Sequence, residues 1–170
     1  IVSIESESFD KTENEFVVDN CPERIFTAVD FLCSEITLRE FHKSFFSRAQ
    51  HAARLMRARG RGKIVNIADV AGEAIWAGYF AYSVSKAALI AVNRGLAKAC
   101  APEIQVNAIA PGPVLFPEYF TQEQKDFAIG RTLVKRAGRP EDIVRAVIFL
   151  IENDYITGEL IHVDGGRHGV

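Results

Sequence analysis

The chain has 170 residues, of which 48% are hydrophobic and 25% charged, and its formal net charge is -2. This length predicts one domain over residues 1–170, and the charge gives no electrostatic case for binding nucleic acid or an anionic membrane. No apolar run reaches membrane-spanning length. Cys21, Cys33 and Cys100 have neither metal-ligand spacing nor an even count, so we expect no metal site and reduced thiols in the cytoplasm.

The first twenty residues match the rest of the chain poorly. They are rich in Ser, Glu, Asp and Asn, with apolar pieces only at residues 1–4 and 16–18. We expect either two short strands around a solvated loop or a poorly ordered arm. The chain starts at Ile1 and shows no signal-peptide pattern, so we also expect a fragment, a processed product or a divergent chain.

From residue 38 onward, helical and strand-like segments alternate. Apolar residues at three- and four-residue spacings predict helices, and short apolar runs between turn signals predict strands covered on both faces. The predicted elements are a helix over residues 38–59, a strand over 64–68, a helix over 79–100, a strand over 104–110, a short helix or lid over 117–129, a helix over 140–152 and a strand over 160–163. This alternation predicts an α/β fold with a parallel sheet.

A basic run from Arg57 to Lys63 ends the first predicted helix. Cations are favourable at a helix C-terminus, and Gly60 supplies a stop signal. We therefore interpret these charges as a solvated helix end rather than as a phosphate site.

Three segments are predicted to meet at one edge of the sheet. Asp69 follows one predicted strand, Pro111 and Gly112 follow the next, and the helix that carries Tyr82 begins at the same edge. Open α/β sheets bind ligands in the crevice at the carboxyl ends of their strands. The sequence therefore predicts a ligand site at this edge.

Asp69, Tyr82 and Lys86 form the candidate catalytic group. Tyr82 and Lys86 are four residues apart, so they lie on one helix face about one turn from each other. A nearby ammonium favours the phenolate, so we expect Lys86 to lower the pKa of Tyr82 and make it a usable general acid. Asp69 could come beside the phenol and orient the substrate or pass a proton; the alternative is an aspartate that caps a turn.

Five sequence blocks occur in order along residues 38–166. They are Gly62-Lys-Ile-Val-Asn-Ile67, Tyr82-x-x-x-Lys86, Val106-Asn-Ala-Ile-Ala-Pro-Gly-Pro-Val114, Gly138-Arg-Pro-Glu-Asp142 and Thr157-Gly-Glu-Leu-Ile-His-Val-Asp-Gly-Gly166. Together they resemble the short-chain dehydrogenase/reductase family. The resemblance implies a Rossmann-like, doubly wound parallel sheet that binds NAD or NADP, possibly incomplete at its N-terminus.

The resemblance also implies roles for individual residues. Tyr82 would donate a proton, and Lys86 would hydrogen-bond the nicotinamide ribose. Backbone groups of the loop after the second strand would reach the nicotinamide carboxamide, although that loop serves equally well as a plain strand terminator. The implied cofactor-binding residues are Ala68, Tyr82, Lys86, Pro111, Gly112 and Val114.

One departure from the family indicates a branch. Most members have a serine thirteen residues before the tyrosine, and this chain has Asp69 there, which is similar to the pteridine reductase branch. Pro113-Val-Leu-Phe-Pro-Glu118 and Asp164-Gly-Gly-Arg-His168 agree with that branch. The resemblance therefore implies NADPH-dependent reduction of a pterin or dihydrofolate-like ring.

A second departure is a loss. The family's opening turn, Thr-Gly-x-x-x-Gly-x-Gly, is missing, and no glycine occurs before Gly60. That turn brings the backbone close to the cofactor's pyrophosphate. Residues 29–36 resemble a degenerate family strand in which Ser34 and Glu35 replace asparagines. We expect poor cofactor binding, or a chain from which segments have been dropped.

Several alternatives stay open. Tyr79 stands seven residues before Lys86, a spacing found in enoyl-thioester reductases, so another short-chain reductase acting on enoyl or 3-oxoacyl thioesters or ketones is the first alternative. A non-catalytic family member acting as an assembly subunit is the second. For all of these we expect a homo-oligomer, a dimer or homotetramer, built on the small residues of the helix over 79–100.

The remaining conspicuous residues are interpreted as structural, or have two alternative interpretations. Trp76, Tyr79 and Phe80 either wall the substrate pocket or fill the core. Asp164 begins a turn that we interpret as structural and near a subunit contact. His162 and His168 are interpreted as lone histidines without a catalytic role.

Overall fold

The computed structural model describes residues 25–29 and 47–169. The described strands are β1 (Ile25–Val29), β2 (Gly62–Ile67), β3 (Ile104–Pro111) and β4 (Leu160–Val163), and the described helices are α1 (Ser47–Ala58), α2 (Phe80–Cys100), α3 (Gln122–Gly130) and α4 (Pro140–Glu152). The predictions for residues 1–20, 30–36 and 38–46 lie outside the described residues.

The four strands form one parallel sheet in the order β1-β2-β3-β4. Ile67 pairs with Ile109, and Pro111 pairs with Val163, so the carboxyl ends of β2, β3 and β4 lie side by side. Because parallel strands need crossover connections, each step between described neighbours passes through at least one helix. The predicted α/β fold with a parallel sheet is confirmed.

Alternate strand residues pack against helices on opposite faces of the sheet. On one face, Ile64 and Val106 join a buried cluster with Met56 of α1 and Leu89 of α2. On the other face, strand side chains pack against α4 in a second cluster; its members are Val65, Ile67, Ile109, Ile143, Ala146, Val147, Leu150, Ile156, Ile161 and Val163. Both faces of the sheet are therefore covered, as the predicted doubly wound architecture requires.

The helix ends follow from local chemistry. α1 stops at Ala58, and Gly60 adopts a φ of +75°, which glycine tolerates without a steric penalty. The predicted helix or lid over 117–129 is a shorter helix, α3, because Thr121 and Gln124 form a reciprocal capping box that sets its start. α4 begins with Pro140 at its first position, as predicted.

Lys63 does not belong to a solvated helix end, so that part of the basic-run interpretation is wrong. It lies within β2 with only 3% of its surface exposed. Its ammonium donates to the carbonyl of Asn153 at 2.8 Å and contacts an Asp154 carboxylate oxygen at 2.6 Å. A lysine is buried only when its charge is paired, and here the residues after α4 provide the partners.

Within the described part of the chain, no helix is both long enough and apolar enough to cross a membrane.

Leu89 tests the importance of the α2 face. Its side chain is fully buried, whereas Leu115 is 60% exposed. We expect Leu89→Ala to lower the free energy of unfolding by about 2–5 kcal/mol, because the cavity left behind collapses only partly. The matched control Leu115→Ala should change it by less than about 0.5 kcal/mol. Chemical denaturation of both variants measures the difference, and equal losses would contradict this account of the core.

Candidate functional site

The candidate site lies where three parallel strands end. Asp69 comes two residues after β2, Gly112 follows β3, and Asp164 follows β4 directly. Pairing of β2 with β3 continues past the strand, because the Ala68 N–H donates to the Ile109 carbonyl at 2.7 Å. The predicted convergence at one edge of the sheet is therefore present.

Asp69 connects this edge to α2. One carboxylate oxygen accepts a hydrogen bond from the Ala71 N–H at 2.8 Å and so caps the short 3-10 turn over Val70–Gly72. The other oxygen accepts a hydrogen bond from the Tyr82 hydroxyl at 2.7 Å. Capping a turn and contacting the phenol were alternatives for Asp69 in the sequence, and the structure shows both at once.

The capped turn reaches α2 closely because Gly72 has no side chain. A Cβ there would lie 2.8 Å from the Lys86 carbonyl carbon and 2.7 Å from the Ile90 Cδ1. The backbone of the turn therefore packs directly on the helix that carries Tyr82. This contact sets the distance between the carboxylate and the phenol.

Lys86 lies beneath Tyr82 on the same helix face. It is 4% exposed, and its Nζ lies 5.7 Å from the centroid of the Tyr82 ring. The ammonium also donates to the carbonyl of Ile67, the last residue of β2, at 3.4 Å. Asp69, Tyr82 and Lys86 are thus brought together, with the carboxylate at the Tyr82 hydroxyl and the ammonium near its ring.

The expected direction of the Tyr82 pKa is wrong. Burial raises the pKa of Tyr82 well above its ordinary value, and the negative charge of Asp69 and the hydrogen bond to it raise the pKa further. The Asp69 carboxylate contacts the phenol oxygen, whereas the Lys86 ammonium is 5.7 Å from the ring centroid. Of the two charges, Asp69 therefore has the larger effect on the pKa of Tyr82. Tyr82 therefore carries its proton at neutral pH.

The residues expected to bind the cofactor lie along the same edge. Ala68 is buried beside Asp69, while Pro111, Gly112 and Val114 are partly exposed after β3. A Cβ on Gly112 would lie 2.6 Å from the Asp164 Cα, so this loop packs tightly on the residue that follows β4. Their role toward a cofactor remains a prediction.

The segment after β4 is a capped turn. Asp164 is buried, and its two carboxylate oxygens accept hydrogen bonds from the Gly166 N–H at 2.8 Å and the His168 N–H at 2.7 Å. The Leu133 N–H donates to the Gly165 carbonyl at 2.8 Å. This turn therefore ties the loop after α3 to the edge of the sheet.

The description of His162 and His168 as lone residues is wrong. Their rings stack with centroids 3.8 Å apart, and each ring contacts a carboxylate at 2.7 Å, that of Glu73 for His162 and that of Asp164 for His168. The sequence held no signal for the contact between His162 and Glu73, because these residues are 89 positions apart. No described group of three or more His, Cys, Asp or Glu side chains could hold a metal ion.

The aromatic residues between Asp69 and Tyr82 do not fill the core. Tyr79 is 56% exposed and Phe80 63% exposed, and Trp76 packs edge-on against Tyr79 with centroids 6.4 Å apart. Among the described residues, none forms a hydrogen bond with the Tyr79 hydroxyl. The guanidinium of Arg167 lies 4.6 Å over the Trp76 ring, a contact that the sequence analysis missed.

A family model described as enoyl-(acyl carrier protein) reductase matches residues 22–168 of the chain. The chain belongs to the short-chain dehydrogenase/reductase family. Family membership agrees with the five ordered blocks and with the sheet described above.

Curated relatives place the similarity in a particular branch. A dihydromonapterin reductase of Citrobacter koseri is 37% identical over 117 residues, which cover 68% of this chain and 49% of that protein. A dihydromonapterin reductase of Escherichia coli is 35% identical over the same shares. The chain therefore spans about half the length of these relatives, and the predicted resemblance to pteridine reductases is confirmed.

Solved structures of family members also match the fold of this chain. A FolM alternative dihydrofolate reductase from Brucella canis, complexed with NADP, superposes with a TM-score of 0.76 at 31% identity, covering 86% of this chain and 64% of that one. A gluconate dehydrogenase described as putative, from Agrobacterium tumefaciens, superposes with a TM-score of 0.74 at 31% identity, covering 86% of this chain and 65% of that one. The fold is thus shared by family members with different names.

The raised pKa of Tyr82 can be tested directly. We expect the tyrosinate absorbance to show that Tyr82 keeps its proton above a pH of about 10, where an unperturbed tyrosine is half ionised. Asp69→Asn should lower the pKa of Tyr82, because it removes the negative charge that opposes ionisation. Difference titrations against Tyr82→Phe identify its signal among the four tyrosines. An unchanged or higher pKa in Asp69→Asn would show that the carboxylate does not control the phenol.

Proposed function

We propose that the chain is an NADPH-dependent reductase of a pteridine or dihydrofolate-like substrate, with Asp69, Tyr82 and Lys86 as its catalytic residues. The observation that carries the proposal is the 2.7 Å hydrogen bond between the Tyr82 hydroxyl and the Asp69 carboxylate. The names of the relatives support the same substrate class, since they include dihydromonapterin reductases and an NADP complex of an alternative dihydrofolate reductase.

The residues of the site fit one half of the cofactor. The Tyr82 hydroxyl, the Lys86 ammonium and the partly exposed backbone at Pro111, Gly112 and Val114 offer the donors and acceptors that a nicotinamide and its ribose require. No glycine precedes Gly60, so the chain has no glycine-rich turn for the phosphates. When bound, NADPH supplies the hydride that reduces a ring C=N bond.

Tyr82 supplies the proton in this proposal. Reduction of the C=N bond adds a hydride to carbon and a proton to nitrogen, and the Tyr82 O–H bond is the one that breaks. The phenolate left behind is favoured by the Lys86 ammonium and opposed by the Asp69 carboxylate. A proton delivered from water to Asp69 would remove that opposition, so Asp69 would both hold the phenol and control its acidity.

Tyr82 and Tyr79 form a matched pair for testing this assignment. We expect Tyr82→Phe to reduce turnover of dihydrobiopterin with NADPH by about 10²–10⁴-fold, because the proton donor is lost. Tyr79→Phe should leave turnover within about twofold, since no described residue forms a hydrogen bond with that hydroxyl and the side chain is 56% exposed. Steady-state assays of the purified chain measure both.

The same assays separate the alternatives. Loss of turnover in Tyr79→Phe, together with reduction of a crotonyl thioester, would assign the chain to enoyl-thioester reduction. Failure to bind micromolar NADPH would favour a non-catalytic family member that serves as an assembly subunit. The missing glycine turn is the observation that favours this second candidate.

We also propose that the protein acts in the cytoplasm as a homo-oligomer, a dimer or tetramer. α4 presents Val144, Ile148 and Phe149 to solvent with 53%, 45% and 50% exposure. Val144 and Ile148 are four residues apart and so lie on one helix face, with Phe149 next to Ile148. Such an exposed apolar surface is typical of an interface between subunits.

Light scattering tests the self-association. We expect the purified chain to have a mass that is a multiple of the monomer mass, and Phe149→Glu to shift it toward the monomer because a carboxylate would be desolvated in the interface. Leu115→Glu, a charge added at an exposed apolar residue outside α4, is the control. A strictly monomeric unchanged chain would contradict the proposal.

A further inference from the structure

Arg167 has an unusual environment for an arginine. It is half-buried, and its guanidinium lies 4.6 Å from the centroid of the Trp76 ring. A guanidinium carries five N–H donors, and among the described residues none accepts a hydrogen bond from it. A cation–π contact with an indole attracts the guanidinium without using those donors. The donors are therefore available to a ligand.

The Trp76–Arg167 pair lies beside the candidate catalytic group. The backbone N–H of Trp76 donates to the Ser83 hydroxyl at 3.2 Å, and Ser83 is the residue next to Tyr82 on α2. Burial lowers the pKa of the Arg167 guanidinium, while the negative charge of Asp69 raises it. Trp76 follows β2 and Arg167 follows β4, so the pair lies at the same carboxyl edge of the sheet as Asp69.

The backbone around Arg167 is firmly positioned. Asp164 accepts hydrogen bonds from the N–H groups on both sides of Arg167, those of Gly166 at 2.8 Å and His168 at 2.7 Å. The His168 ring also contacts Asp164 and stacks on His162. An arginine held in this way loses little conformational entropy when a ligand binds, because it is already ordered.

We propose that Trp76 and Arg167 bind the ring of the substrate, with Arg167 donating hydrogen bonds to acceptor atoms at the edge of a pteridine. This inference rests on the proposed function. A guanidinium has donors only, so it selects a ring edge that presents carbonyl oxygen or unprotonated ring nitrogen. The indole adds a flat apolar surface of the kind on which a heteroaromatic ring stacks. Arg167 is then a substrate-binding residue for the same reaction.

Binding of dihydrobiopterin to the purified chain tests the inference. Trp76 is the single tryptophan of the chain, so its fluorescence reports on this site alone, and calorimetry gives the affinity. We expect Arg167→Gln and Arg167→Lys each to weaken binding roughly tenfold or more, because both lose the planar set of charged donors. Arg54→Gln removes the same charge from the exposed surface of α1 and should bind like the unchanged chain.

The possible results separate this inference from the proposed function. If the unchanged chain does not bind dihydrobiopterin, the proposed function fails and the inference fails with it. If the unchanged chain and Arg167→Gln bind equally well, only the inference is overturned. A loss in Arg54→Gln as large as that in Arg167→Gln also overturns it, because net charge would then explain the effect. In a turnover assay, we expect Arg167→Gln to raise KM more than it lowers kcat.

Discussion

The hydrogen bond between Tyr82 and Asp69 depends on a close contact between backbone and helix. Asp69 can reach the phenol only because the turn that it caps lies against α2, and the turn can lie there only because residue 72 is glycine. The end of β2 is joined to the same helix through the Lys86 ammonium and the Ile67 carbonyl. The strand, the turn and the helix therefore form one rigid frame around the phenol.

The charged side chains in this frame are held by specific partners. Asp69 accepts one hydrogen bond from a backbone N–H and one from the phenol, and Asp164 accepts two from backbone N–H groups. Such bonds stabilise the charged form of a carboxylate, and hydrogen bonds from His168 and Gly166 lower the pKa of Asp164 despite its burial. Arg167 differs, because an aromatic ring replaces hydrogen-bond acceptors around its guanidinium. Arg167 therefore differs from Asp69 and Asp164, whose charges are held by hydrogen bonds within the protein.

Much of the fold could be predicted from periodicity and turn chemistry. The bounds of α4 and β4 agree with their predicted ranges, because Pro140 marks a helix start and a short apolar run precedes Asp164. The meeting of Asp69, Tyr82 and Lys86 could be predicted from their places after a strand and along one helix face. The direction of the Tyr82 pKa could not, since it depends first on how deeply the phenol is buried and then on its contact with Asp69. The contacts of Lys63 with Asn153, of His162 with Glu73 and of Trp76 with Arg167 join residues far apart in the chain, so local patterns contain no signal for them.

The position of Lys63 bears on how this protein could evolve or be engineered. Its contacts with Asn153 and Asp154 lie near the amino end of β2, whereas Asp69 follows the carboxyl end of the same strand. Lys63 and Asp69 are six positions apart, and an extended chain rises about 3.3 Å per residue, so at most about 20 Å separates their backbones. Changes in free energy at sites so far apart are generally additive. Adaptation to heat at one edge could therefore proceed independently of changes in substrate preference at the other.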